Sequence, residues 1–155
     1  MNNKQELYSL INSLLEKNGF VRKKDDWFLE SDECVSILGL GKSQWSGQYA
    51  IVLSVSVKAI SNMKFPPPHK GHIHGFSLEN IASNKKKLRD ALNFEVRMPV
   101  EREKTIASAI EKKAIPFLKE ISTIKGIKRS IVNVKDLEFH VLLKLREFLS
   151  TFKER

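Results

Sequence analysis

The sequence predicts an α+β fold: an antiparallel meander sheet of four to five strands packed by N-terminal and C-terminal helices. Three observations predict it. The segment QELYSLINSLLEKNG carries an apolar stripe at helical spacing, QYAIVLSVSVK alternates with period two, and most of the chain beyond residue 83 returns to a helical period. The chain has 155 residues with 41% apolar and 29% charged side chains, a balance that suits one domain, residues 1–155, around one main core.

The first helix starts at Asn3, a capping residue with Glu6 three positions later, and stops at Gly19. Leu7, Leu10, Ile11, Leu14 and Leu15 form its buried stripe. Phe20 and Val21 then lead through the charged turn RKKDD into WFLE, a hairpin turning near Asp25 and Asp26. CVSILGL, residues 34–40, is a mostly apolar strand. In the strand that follows, Tyr49, Ile51, Leu53, Val55 and Val57 share a face opposite Ser54, Ser56 and Lys58. The two strands pair through the connection GKSQWSG.

FPPPH lies in a stiff extended loop, since consecutive prolines exclude helix and strand interior alike, and it lacks the P-x-x-P frame of an SH3 ligand. HIHGFSL is expected as an edge strand. A short basic helix is expected over about residues 83–92. Between residues 101 and 121, Ile106, Ile110, Phe117 and Ile121 mark a helix that Pro116 should kink or divide. A long final helix from Asn133 is expected to bury Leu137, Val141, Leu145, Phe148 and Phe152.

Composition narrows the functional classes. No apolar run approaches the roughly 18 residues of a membrane span, and the start MNNKQELYSL has no apolar signal core, so a cytoplasmic protein is expected. With Cys34 the single cysteine, no internal disulfide and no thiol-based zinc site can form, and the thiol itself reads as buried and inert. The net charge is +9, and residues 1–50 do not contribute to the excess, with six basic and seven acidic side chains. Such a charge attracts polyanions without identifying one.

The segment SILGLGKS imitates a phosphate loop, but Ser36 stands where the first glycine belongs and a strand, not a helix, follows. A hairpin turn with two glycines is the reading retained. His69, His72 and His74 are the candidate metal ligands, because two imidazoles two apart share a strand face and a third could loop back to an open zinc centre. Against them, the first carboxylate along the chain that could orient the rings is Glu79, so no metal and no cofactor is expected. Neither these histidines nor His140 fits the H-x-[ST] pairs of two-histidine phosphoesterases, and His140 reads as a half-buried packing residue. No G-x-S-x-G, Cys–His pair or H-E-x-x-H is present, so no enzyme is expected.

Lys85, Lys86, Lys87 and Arg89 form the densest basic cluster, and Lys125, Lys128 and Arg129 a second. They could neutralise backbone phosphates, with Trp45 as a stacking surface, although no zinc-finger, ribonucleoprotein or GxxG signature accompanies them. Trp45 also lies at the tip of a polar turn with Lys42 and Ser43 beside it, the position of a ring displayed to a partner. The alternative is that Trp45 folds back and caps the edge of the core. Lys42, Ser43, Trp45, Lys85, Lys86, Lys87 and Arg89 are therefore the candidate binding residues. Another protein is the expected partner, and the oligomeric state is left open. Nucleic acid or another polyanion is the alternative, and a metal-dependent hydrolase built on the three histidines is the third reading.

Three stretches, KNGFVRKKDDWFLE, LGLGKSQWSGQYAIVLSVSV and IEKKAIPFLKEISTIKGI, occur in an order that resembles the bacterial domain-of-unknown-function family four-three-zero-four. Gly19-Phe20, Trp27, Lys42-Ser43, His72 to Glu79 and Ala114-Ile115-Pro116-Phe117 carry the resemblance, over about residues 5–130. Ser77 departs from it, standing where the family often has arginine. The resemblance implies a small α+β domain with no accepted activity or catalytic residues. It also associates the chain with stand-alone domains of the immunity or antitoxin kind.

Overall fold

Strands β3 (Cys34–Lys42) and β4 (Tyr49–Val57) form the long central hairpin, paired antiparallel from Cys34 opposite Val57 to Lys42 opposite Tyr49. The computed structural model describes residues 1–98 and 100–152. The shorter β1 (Val21–Lys23) and β2 (Asp26–Glu30) complete a four-stranded antiparallel meander in the order β1-β2-β3-β4. Lys23 pairs with Asp26, so the first turn is Lys24–Asp25, and Lys24 takes the left-handed conformation at φ 57°.

Register decides what each face carries. Trp27, Leu38 and Leu53 stand side by side on one face, in line with Tyr49, Ile51, Val55 and Val57, and all of these are buried. Helix α1 (Lys4–Glu16) brings Leu7, Ile11, Leu14 and Leu15 into the same cluster, capped by the Asn3 side chain on the Glu6 N–H and ended at Gly19, φ 86°. Helices α4 (Glu101–Ala109) and α5 (Ile115–Glu120) add Ile106 and Phe117, and the residues just past their ends add Ile110 and Ile121, as the stripe predicts. Ser36, polar on this apolar face, donates to the Leu118 carbonyl at 2.7 Å.

The second face is also covered. Phe65 packs on Phe28 at 5.4 Å between ring centroids, beside Val35 and Ile37. Pro68 lies so close to Gly39 that a Cβ there would sit 2.4 Å from its Cγ. The proline loop is thus the lid of a second small core, which explains why Ser54 and Ser56 are buried despite facing away from the helices. Ser54 Oγ donates to the Ile73 carbonyl at 2.7 Å.

Residues 72–77 run beside β4 without forming a regular strand. The His72 N–H donates to Val55 and the Leu53 N–H to Phe76, with a single bridge between Val52 and Ser77. Gly75 takes the left-handed conformation at φ 66° between the His72 and Phe76 contacts, and helix α2 (Leu78–Ile81) follows Ser77. The expected basic helix is α3 (Lys85–Ala91), capped by Asn84 on the Lys87 N–H.

Two helical expectations change. Between α4 and α5 the chain forms a π-turn, Ile110–Ala114, immediately before the proline, so the helix continues with an expanded turn where Pro116 has no N–H to give. The long final helix is absent. Helix α6 (Ile124–Asn133), capped by the Thr123 hydroxyl, ends where Val134 is extended and Asp136 is left-handed at φ 63°. A 3₁₀ turn, Leu137–His140, follows, then a β-bridge from Val141 to Ile73, then helix α7 (Leu143–Thr151). Leu137, Val141 and Leu145 are buried as a helical stripe would have them, but from three different backbone states; Phe148 and Phe152 are half-buried.

Candidate interaction surface

The loop between β3 and β4 is built by its own serines. The Ser43 N–H donates to the Gln48 carbonyl at 2.9 Å, Ser43 Oγ accepts from the Trp45 N–H, and Ser46 Oγ accepts from the Gln48 N–H. Gly39 and Gly41 lie inside β3, not in the turn, so the phosphate-loop imitation is a strand, and at Gly39 it lacks a side chain where Pro68 needs the room.

The loop rests on a platform after α3. The Gly47 carbonyl accepts from the Phe94 N–H at 3.0 Å, Gln48 bridges to Asn93, and the Tyr49 N–H donates to Leu92. Gln48 Nε2 also donates to the Arg89 carbonyl at 3.0 Å, tying the loop to the end of α3. The platform is itself anchored by Arg102, whose buried guanidinium donates to the carbonyls of Ala91 at 2.9 Å and Asn93 at 3.0 Å, and also to Val96. Burial lowers its pKa, and the Phe94 ring lies 4.8 Å from its charge centre. Nothing in the sequence around Arg102 marks it. A cation on an apolar stripe becomes legible only when three carbonyls converge on it.

Held at both ends, the loop projects Trp45 into solvent, 90% exposed, whereas Trp27 is fully buried. The alternative of a core-capping Trp45 is excluded by this geometry. The candidate binding residues are partly assembled. Lys42, Ser43 and Trp45 meet Arg89 through Gln48, while Lys85, Lys86 and Lys87 occupy the first turn of α3. Two of these cations are engaged already, Arg89 with Glu79 and Lys86 with Asp90 at 3.4 Å.

The three-histidine centre is not assembled. His72 is buried, and its Nδ1 accepts from the Val57 N–H at 2.9 Å, standing in for a ladder carbonyl at the end of β4. Burial, aided by nearby Lys144, pushes its pKa down from 6.5 to about 4. His74 Nε2 lies 2.5 Å from the His69 carbonyl, and His140 Nδ1 lies 2.7 Å from the His74 carbonyl. Among the described residues, no three His, Cys, Asp or Glu side chains converge as a metal site would need. His140 packs edge-on against Phe76 at 5.3 Å, the half-buried role its neighbours suggest. Cys34 is buried, and desolvation raises its pKa to about 12, so the thiolate a nucleophile requires does not form near neutrality. No helix among the described residues is long and apolar enough to cross a membrane.

No curated protein and no solved structure matches the chain. The profile of the family described as "Domain of unknown function (DUF4304)" matches residues 11–120, the stretch that holds the whole sheet, the Trp45 loop and its Arg102-anchored platform. With most of its length inside that match, this chain belongs to the DUF4304 family.

Proposed function

We propose that this chain is a non-catalytic binding module of the cytoplasm whose partner is another protein, captured through Trp45. One observation carries the reading: a 90%-exposed indole on a loop that hydrogen bonds hold at both ends. An aromatic ring already fixed in place loses little entropy on docking and offers a large contact area, which is why tryptophan is frequent among interface hot spots. The engagement of the histidines and the buried Cys34 thiol support a role without covalent or metal chemistry. A module of this size and simplicity suits an immunity or antitoxin role, in which binding alone is the activity.

A test compares the wild type with Trp45→Ala. Cross-linked capture from the native host should yield a partner identifiable by mass spectrometry, and the purified pair should lose affinity by about tenfold or more in the variant. Undiminished affinity in Trp45→Ala would remove the loop from the interface and the reading with it.

Nucleic acid is the second reading, supported by the position of α3 beside the Trp45 loop and by Lys85 and Lys87, which form no ion pair among the described residues. Retention on heparin that persists at about 0.15 M salt would favour it.

A further inference from the structure

Helix α3 has a second neighbour besides the Trp45 loop. A groove of about 520 Å³ runs between it and the segment formed by α4 and the π-turn. Lys87 of α3, Lys104 of α4, and Lys112 and Lys113 of the π-turn all line it, against one carboxylate, Glu101. None of the four lysines forms an ion pair among the described residues. Like charges gathered around one groove repel one another, and an acidic occupant would turn that repulsion into attraction.

Between the lysines the walls mix apolar side chains with the small polar ones of Ser83, Asn84, Thr105 and Ser108. Ala82, Leu88 and Ala109 line the groove, and Val100 stands at its edge 85% exposed, an aliphatic side chain with no cover of its own. These walls decide between acidic occupants. A free phosphate would leave Val100 and the alanines uncovered, and the start of α4, which borders the groove, carries Glu101, which repels it. A single-stranded nucleic acid would call for arginine or aromatic surfaces on which bases stack, and none lines the groove, while a duplex would meet the lysines through its phosphates and leave Val100 uncovered. An amphipathic acidic protein segment matches both features, its carboxylates reaching the lysines and its aliphatic side chains covering Val100 and its neighbours.

We infer that the groove between α3 and the α4–π-turn segment is the docking site for an acidic, amphipathic segment of a protein partner. The inference deepens the protein-binding reading: Trp45 is the anchor, and the groove sets which partners it accepts. The π-turn has a part in this. It is the local expansion that leads into Pro116, and it carries two of the four lysines; such turns recur at functional sites.

The probes are two fluorescein-labelled synthetic peptides of equal charge. One carries Glu and Leu at amphipathic helical spacing, and in the other every Leu is replaced by Ser. The wild type should bind the first about tenfold more tightly than the second at about 0.15 M salt. Lys104→Glu/Lys112→Glu should weaken that binding by about tenfold or more, and Val100→Ser should weaken it without changing any charge. Both variants alter exposed positions, so melting temperatures should match the wild type and show that the fold is intact. Trp45→Ala should leave peptide binding unchanged, so failure of the groove and failure of the Trp45 anchor appear in separate measurements. Equal binding of the two peptides, indifference to the lysine reversals, or ready displacement of the first peptide by a duplex oligonucleotide would each overturn the inference.

Discussion

Trp45, Arg102 and His72 are single residues whose surroundings make sharp expectations. Trp45 touches solvent nearly all round, so Trp45→Ala should leave the melting temperature within about a degree of the wild type. A buried indole in its place would have cost on the order of 3 kcal/mol. Of the two tryptophans, Trp45 alone should be quenched by iodide, with Trp27 protected. Arg102→Met takes a buried donor from the carbonyls of Ala91 and Val96, while that of Asn93 keeps the Val96 N–H, and should cost about 3 kcal/mol or more in urea denaturation. It should also loosen the platform under the Trp45 loop. His72 sets an acid limit. Above about pH 6.5 the ring is neutral folded or unfolded and contributes no pH dependence. As pH falls towards 4, the unfolded chain takes up a proton that the buried ring refuses, so stability should drain away over that window. His72→Asn, whose side-chain oxygen can still accept from Val57, should flatten this slope in denaturation curves taken across it.

At the scale of elements, the places where expectation and structure part are breaks in periodicity. Pro116 announced its interruption because a missing donor is a local property, legible in one residue. The break between α6 and α7 did not announce itself: Leu137, Val141 and Leu145 keep helical spacing, and only the bridge of Val141 to Ile73 shows why the backbone leaves the helix. The corner between α5 and α6 rests on Gly126, where a Cβ would lie 1.7 Å from the Glu120 carbonyl oxygen. Backbone cannot yield as a flexible side chain does, so Gly126→Ala should destabilise by more than the ~1 kcal/mol typical of a point mutation. A fall in melting temperature no larger than that of a surface alanine would show that the corner opens freely.

For the whole molecule, the question is what a net charge of +9 is for. If it serves solubility and a protein partner, binding of labelled single-stranded and duplex oligonucleotides should be weak and should vanish by about 0.15 M salt. Submicromolar affinity that survives at that ionic strength would make nucleic acid the principal partner in place of protein.

The sequence by itself determined the α+β class, the order of the strands, the first helix with its Asn3 cap, and the loop on which Trp45 stands. Each of these follows from residues within one or two turns of one another, where periodicity, capping and turn chemistry act. Tertiary structure alone decided the rest. Whether the indole faced water or core depended on Asn93 and Phe94, remote in sequence, holding the loop. The histidines near residue 72 are close in sequence, yet the ladder of β4 claims the His72 ring and the His69 carbonyl holds that of His74. The second face of the sheet looked polar because Ser54 and Ser56 face it, yet both are buried, and Ser54 bonds to Ile73 in a segment that arrives later in the chain. The groove lysines come from α3, α4 and the π-turn, and no local pattern brings them together. Long-range closure, not residue type, turned those side chains into a site.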